Sequence, residues 1–235
     1  RWVIRAWRYR LRTEKPEINF LLRHLKSGQV ALDIGAHKGA YTYWMSMRVG
    51  ESGYVYAFEP QPELNQYLCG IAKRSKYQNI QVETMALSSQ ESDTTMNIPG
   101  ERPSPSASLI TSDNKNGTQI NVHTTTLDDF TLLRNLETID LIKCDVEGHE
   151  LDVLMGGKRV ITRFKPVVLI ECEARHNGPE NVTAVFEFFT NLNYEGWFYD
   201  GDSFISLDNF DLYKYQTHPN RKIYVNNFFF TPKGN

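Results

Sequence analysis

Apolar residues along this chain change their period several times, and each change marks an element. From Glu14 to Gly28, Ile18, Leu21, Leu22 and Leu25 recur at helical spacing, with Pro16 suited to the first turn and Gly28 to the end. QVALDIG is a short apolar run broken at glycine, as a buried strand would be, and a helix is expected from Gly39 to Met47, stopped near Gly50. GYVYAFEP reads as a second strand, Leu64, Tyr67, Leu68 and Ile71 mark a second helix, and NIQVETMAL reads as a third strand. After INVHTTTLDDF, the strands IDLIKCD and KPVVLIECE flank the short helix ELDVLMGG. Val182, Val185, Phe186 and Phe189 mark another helix, and YEGWFYD and KIYVNNFFFTP are expected to form a closing antiparallel pair. Near-continuous apolar strands alternating with helices predict a mostly parallel sheet covered on both faces.

Two stretches depart from this rhythm. Residues 88–120 are rich in Ser, Thr, Pro, Asn and Gly and read as loops with one short hairpin, an insertion long enough to be functional. Residues 1–27 form a separate basic arm. There Arg1, Arg5, Arg8, Arg10 and Arg12 alternate with Trp2, Val3, Ile4, Trp7 and Leu11, an amphipathic helix that reads first as a solvated cap. Contact with a membrane surface, an acidic partner or a glycan is the other reading of that arm. A chain opening on arginine also reads as part of a longer one.

Composition narrows the class. The chain has 235 residues, 40% of them hydrophobic and 23% charged, which suits one α/β domain over 28–235. A net charge of -2 argues against nucleic acid as partner. Cys69, Cys144 and Cys172 contain no CxxC pair, so neither a disulfide framework nor a zinc site is expected, and reduced thiols fit a cytoplasmic setting. No apolar stretch approaches the ~20 residues that span a bilayer.

The most informative segment is Asp33-Ile-Gly-Ala-His-Lys-Gly39, a strand end followed by a helix, where open α/β sheets bind ligands. A dinucleotide fingerprint would need glycine at 35, 37 and 40, and this chain has Gly35, His37 and Ala40. The missing middle glycine is the one a pyrophosphate requires. S-adenosylmethionine carries no phosphate and needs no such glycine, and Asp33 could receive its ammonium group, directly or through water. Glu59, 24 positions beyond Gly35 at the end of YVYAFE, is placed to accept hydrogen bonds from ribose hydroxyls.

A second cluster, Lys143, Asp145, Glu147, His149 and Glu150, crowds the carboxyl end of IDLIKCD. Buried strand ends tolerate so many ionisable groups only when they are paired or functional. Asp145 and Glu147 are the first candidates for a general base, with Glu171 on the neighbouring strand and His149 behind them, and Lys143 is expected to pair with the carboxylates. His123, His176 and His218 stand alone in the sequence and read as surface or core residues. Carboxylate–histidine clusters bind Mg or Mn, but with no paired-histidine motif no metal is expected.

VALDIGAHKGAYT, YAFEPQPE, VETMALS, TTTLDDF, IDLIKCDVEGHELDVLMGG and KPVVLIECE, in that order, resemble the FkbM-type methyltransferases. The resemblance spans roughly residues 28–230 and implies a class I methyltransferase fold, Rossmann-like, with a seven-stranded sheet. It also implies S-adenosyl-L-methionine as cofactor and O-methylation of sugars or secondary metabolites. By the same resemblance, Asp33, Gly35, Ala36 and Gly39 would hold the methionine portion, and His37, standing where the family usually has Asn, and Thr42 would also belong to the cofactor site. Glu59 would hold the ribose with Pro60 beside it, and Met85, Ala86 and Leu87 would lie near the adenine. Asp145 would face the cofactor's amino-acid end or the acceptor. Two readings compete with this one: a nicotinamide oxidoreductase, and a catalytically inactive module docking on a glycan or membrane.

Overall fold

The computed structural model describes residues 1–74, 78–100, 102–109 and 117–234. The strands are β1 (Val30–Ile34), β2 (Tyr54–Phe58), β3 (Ile80–Glu83), β4 (Ala86–Leu87), β5 (Ser92–Pro99), β6 (Gly117–Thr125), β7 (Leu141–Cys144), β8 (Val167–Glu171), β9 (Tyr194–Tyr199), β10 (Phe204–Ser206) and β11 (Asn227–Pro232). The helices are α1 (Trp2–Arg8), α2 (Lys15–His24), α3 (Ala40–Val49), α4 (Pro62–Ala72), α5 (Leu127–Leu133), α6 (Glu150–Gly156), α7 (Lys158–Phe164), α8 (Ala174–Asn177) and α9 (Pro179–Asn191).

The main sheet runs β10-β9-β11-β8-β7-β1-β2-β3. β3, β2, β1, β7 and β8 pair in parallel, and β11 enters antiparallel between β8 and β9. The expected closing pair is therefore present. Among the described residues the sheet has eight strands instead of seven because Phe204–Ser206 folds back on β9 as an added edge.

Alternation along each strand explains why both faces are covered. Leu32 and Ile34, Ile142 and Cys144, Val168 and Ile170, and Phe228 and Phe230 pack on one side with α5, α6, α7 and α9. Ala31, Leu141, Leu169 and Phe229 face the other side, where Ile18, Leu21, Tyr41, Trp44 and Met45 of α2 and α3 cover them. Asp33 and Lys143 alternate onto that second side, and this brings them under Tyr41; the Lys143 ammonium lies 5.1 Å from its ring centre.

NIQVETMAL is not one strand. It breaks at Thr84 and Met85, and β4 leaves the main sheet to pair in parallel with β6. Residues 88–120 are likewise more ordered than a short hairpin: β5 and β6 pair over eight positions, from Ser92–Thr124 to Pro99–Gly117. Met96, Ile98, Ala107 and Val122 give this second sheet a small core of its own. Residues 110–116 of the insertion lie outside the described residues.

The arm packs along α3. Ala6 is buried, its carbonyl accepts the Trp44 indole N–H at 2.9 Å, and the Trp2 indole N–H bonds the Gly39 carbonyl at 2.6 Å. Among the described residues no helix is long and apolar enough to cross a membrane.

Candidate active site

A cleft of about 260 Å3 opens at the carboxyl ends of β1, β2, β7 and β8. Its floor is the turn after β1. Gly35 has φ +80°, and a Cβ there would lie 1.9 Å from the Asp145 carbonyl oxygen, so backbone approaches backbone where a side chain would stand. Gly39, at φ +70°, opens α3 under Leu68 and the Trp2 indole. Gly35→Ala is expected to abolish cofactor binding and lower the thermal midpoint by several degrees, because two strand ends must separate. A melt together with a cofactor titration checks this, and a variant with unchanged binding would refute the close-approach argument.

Glu59 is buried at the end of β2 yet reaches the cleft. One carboxylate oxygen accepts the His37 N–H at 2.8 Å and the other the Gln61 N–H at 2.9 Å. Burial raises its pKa to about 7 against those hydrogen bonds. Ala36, His37, Pro60 and Ala86 also line the cleft; burial, reinforced by the Lys38 charge, pulls His37 down to about 4.

Asp33, Gly39, Thr42 and Met85 are not exposed in the cleft. Asp33 is fully buried beneath it, accepts the Thr42 hydroxyl at 2.5 Å, and keeps Oδ1 without a hydrogen bond, 3.9 Å from the Lys143 ammonium. Lys143 in turn donates to Asp145 Oδ2 at 3.0 Å and to the Gly35 carbonyl at 3.3 Å. Burial works against the ammonium, but the Asp145 and Asp33 carboxylates outweigh it and Lys143 titrates above its ordinary value.

At the other end of the cleft stand Asp145, Glu147, His149 and Glu171. His149 is tied to the Ser88 hydroxyl at 2.9 Å, and burial lowers its pKa. Burial, then the Asp145 charge, raises Glu171, whose Oε1 accepts the Asn226 amide at 2.7 Å. Glu147 does not simply continue the alternation of β7. It sits in the following turn at φ +52° and faces His176 Nε2 at 2.9 Å. His176, which reads as isolated in the sequence, is thus brought against the catalytic candidates, with Glu173 3.7 Å away.

Two further walls were not legible in the sequence. Arg5, Tyr9 and Glu14 of the arm line the cleft, and Tyr41 donates to Glu14 at 3.2 Å. Met96, Pro105, Ala107 and Leu109 bring the insertion to the opposite side. Gln61 exchanges two hydrogen bonds with Ser104, and the Ser108 hydroxyl donates to the Glu147 carbonyl, so residues 104–108 strap the cleft from β2 to β7.

A mostly parallel sheet in which only β11 and the added edge β10 run in reverse, and a glycine turn and an acid at the ends of adjacent strands, define a class I methyltransferase fold. The FkbM methyltransferase domain matches residues 33–195, and the chain belongs to that family. The hexuronic acid methyltransferase AglP of Haloferax volcanii is 29% identical over 182 residues, 77% of this chain and 71% of that protein. Methyltransferase FkbM of Methylobacillus flagellatus superposes with a TM-score of 0.56 at 15% identity. The match covers 96% of this chain, which spans about half of that protein (52%). Aeropyrum pernix fibrillarin, solved with S-adenosyl-L-methionine bound, gives 0.52 at 13% identity over 92% of this chain and 74% of its own.

Proposed function

We propose that the protein is an S-adenosylmethionine-dependent O-methyltransferase acting on a sugar hydroxyl, with a uronic acid residue as the acceptor class. The observation that carries the reading is the close approach at Gly35 beside the Glu59 carboxylate. Together they form a cradle for a nucleoside with no pyrophosphate. Family membership and the hexuronic acid methyltransferase relative support the acceptor class.

The bound cofactor supplies an electrophilic methyl on a sulfonium. Glu59 would accept both ribose hydroxyls, since each of its oxygens keeps a lone pair beyond its backbone partner. Ala86 and Leu87 would lie along the adenine, and Pro60 beside the ribose. Asp145 Oδ2 is occupied by Lys143, which leaves Oδ1 for the cofactor ammonium or the incoming hydroxyl. Asp33 acts from below, fixing Lys143 and Thr42 without touching the cofactor. Glu147 is the group we assign to the acceptor side, where it would take the hydroxyl proton as the bond forms. The arm and the 104–108 strap narrow the access of water, which favours collapse of charge between sulfonium and nucleophile.

The test is calorimetric titration with S-adenosylmethionine and S-adenosylhomocysteine, followed by mass spectrometry of uronic-acid oligosaccharides incubated with enzyme and cofactor. Binding by wild type, loss in Glu59→Ala and a mass gain of one methylene on the sugar are expected. A folded protein that binds neither nucleoside would overturn the proposal. A protein that instead binds NAD would favour the oxidoreductase.

A further inference from the structure

Glu147, Glu173 and His176 arise from three different pieces of chain. Glu147 lies in the turn after β7, Glu173 two residues past β8, and His176 on the short α8. Their ligand atoms all lie within 4.8 Å of one another, and this is the group among the described residues that could hold a metal. His176 Nε2 is 2.9 Å from Glu147 Oε2 and 3.7 Å from Glu173 Oε1. Adjacent ligands around a cation with bonds of about 2.1 Å stand roughly 3 Å apart, so His176 and Glu147 already have the spacing of neighbouring ligands, with Glu173 Oε1 farther out at 3.7 Å from His176.

A plain ion pair accounts for this less well. Glu147 Oε2 and His176 Nε2 are both sealed from solvent and stand 2.9 Å apart, within hydrogen-bond distance but not in the alignment of a hydrogen bond. Buried charged groups in a finished ion pair are normally aligned and hydrogen-bonded, because an unsatisfied one is costly. Here two such atoms converge on one point beside a third, fully buried carboxylate.

The surroundings hold the three side chains in place. Glu173 is fixed by the Arg175 guanidinium at 2.6 Å and by the Tyr224 hydroxyl. The Glu147 turn is pinned by Ser108 at the Glu147 carbonyl and by Asn177, next to His176, at the Gly148 carbonyl. Partners of this kind orient ligands in metal sites.

We propose that Glu147, Glu173 and His176 bind a divalent transition-metal ion at the acceptor end of the cleft. One imidazole with two carboxylates suits Mn2+, Fe2+ or Zn2+ better than the all-oxygen shells of Mg2+ and Ca2+. Three protein ligands leave positions open, which is the pattern of a catalytic and not a structural ion. Glu147 also borders the cleft, so those positions are next to the acceptor. On the proposed sugar methylation, two neighbouring hydroxyls would take them, and the ion would ease transfer of the proton from the one that attacks to Glu147 Oε1, the oxygen not turned to the ion. The role of the ion rests on that reading; the site itself does not.

The experiment uses chelator-treated full chain titrated with MnCl2, with free Mn2+ followed by electron paramagnetic resonance and heat by calorimetry. One saturable ion per chain is expected for wild type and for His123→Ala, a histidine exposed on β6. Binding should fall ~10–100-fold or more in His176→Ala, in the milder His176→Gln, and in Glu173→Gln, each shown folded by its melt. Folded wild type with no saturable Mn2+ or Zn2+ site would overturn the proposal, as would unchanged affinity in both His176 variants. Cofactor titration of the metal-free chain keeps the two readings apart. Nucleoside binding without metal binding sinks this inference alone, and metal binding without nucleoside binding sinks only the methyltransferase.

Discussion

Lys143→Met is expected to cost the folded protein about 3–5 kcal/mol, because it strips the cation from a buried carboxylate and leaves the carboxylate behind. Lys143 is buried among Asp33, Asp145 and the Gly35 carbonyl, and Asp33 beneath it is otherwise held by Thr42. Burial already raises the Asp33 carboxyl against the favourable Lys143 charge. Without that charge it rises further, and an acid raised in the folded state weakens folding as pH climbs above its unfolded value. The defect should therefore be largest at neutral and alkaline pH and shrink toward pH 4, where Asp33 takes up a proton in both states. Asp33→Asn combined with Lys143→Met should recover part of the loss, since neither charge is then buried. Urea midpoints of the two singles and the double, at pH 5 and pH 8, measure the coupling. Additive losses with no pH dependence would show that Asp33 and Lys143 are not an energetic pair.

The same strand ends show what the sequence can and cannot reveal. Gly35 and Glu59 are legible because each terminates a strand whose own apolar run marks where it stops. Lys143 and Asp145 are legible for the same reason, as ionisable groups where the pattern predicts burial. The depth of Asp33 is not legible: alternation places it on a face of β1, and only the packed Tyr41 and Thr42 show that this face is closed above it. Glu14 and Met96 line the cleft from elements whose local pattern carries no trace of it, since folding brings them there across long stretches of chain. His176 sits on a four-residue helix, too short for any periodicity, and meets Glu147 29 positions away only because β7 and β8 are neighbours. The full length of the hairpin is hidden because Met96, Ile98, Ile120 and Val122 alternate correctly but within a Ser-, Thr- and Asn-rich composition that resembles loop.

Glu59→Gln is expected to remove a pH dependence from stability while weakening cofactor binding. An isolated glutamate ionises near 4.5, whereas Glu59 holds its proton to about 7 because it is buried. Between those values the folded state binds the extra proton, so wild-type stability falls as pH rises through that window and levels off above it. The full difference amounts to about 3 kcal/mol for this carboxyl. Glutamine stays neutral throughout. One of the His37 and Gln61 N–H groups then loses its acceptor, which lowers the variant by about 1–3 kcal/mol at every pH. Relative to wild type it should therefore start low near pH 4.5 and gain steadily up to pH 7–8, by at most the amount of that titration, several degrees in thermal midpoint. Its amide nitrogen cannot accept, so one of the two ribose hydrogen bonds is lost and the other weakened, and cofactor affinity should drop by roughly 10–100-fold. In wild type the nucleoside hydroxyls donate to the ionised carboxylate, so binding near pH 6.5 should release a proton. Calorimetry in buffers of different ionisation enthalpy reads that proton directly, and Glu59→Gln should abolish it. A variant that shows this gain with intact affinity would mean that Glu59 is only a buried capping acid and that the ribose lies elsewhere. A variant that loses affinity with no pH-dependent gain in stability would mean that the carboxylate is already satisfied by the His37 and Gln61 amides, its ionised form no burden on the fold.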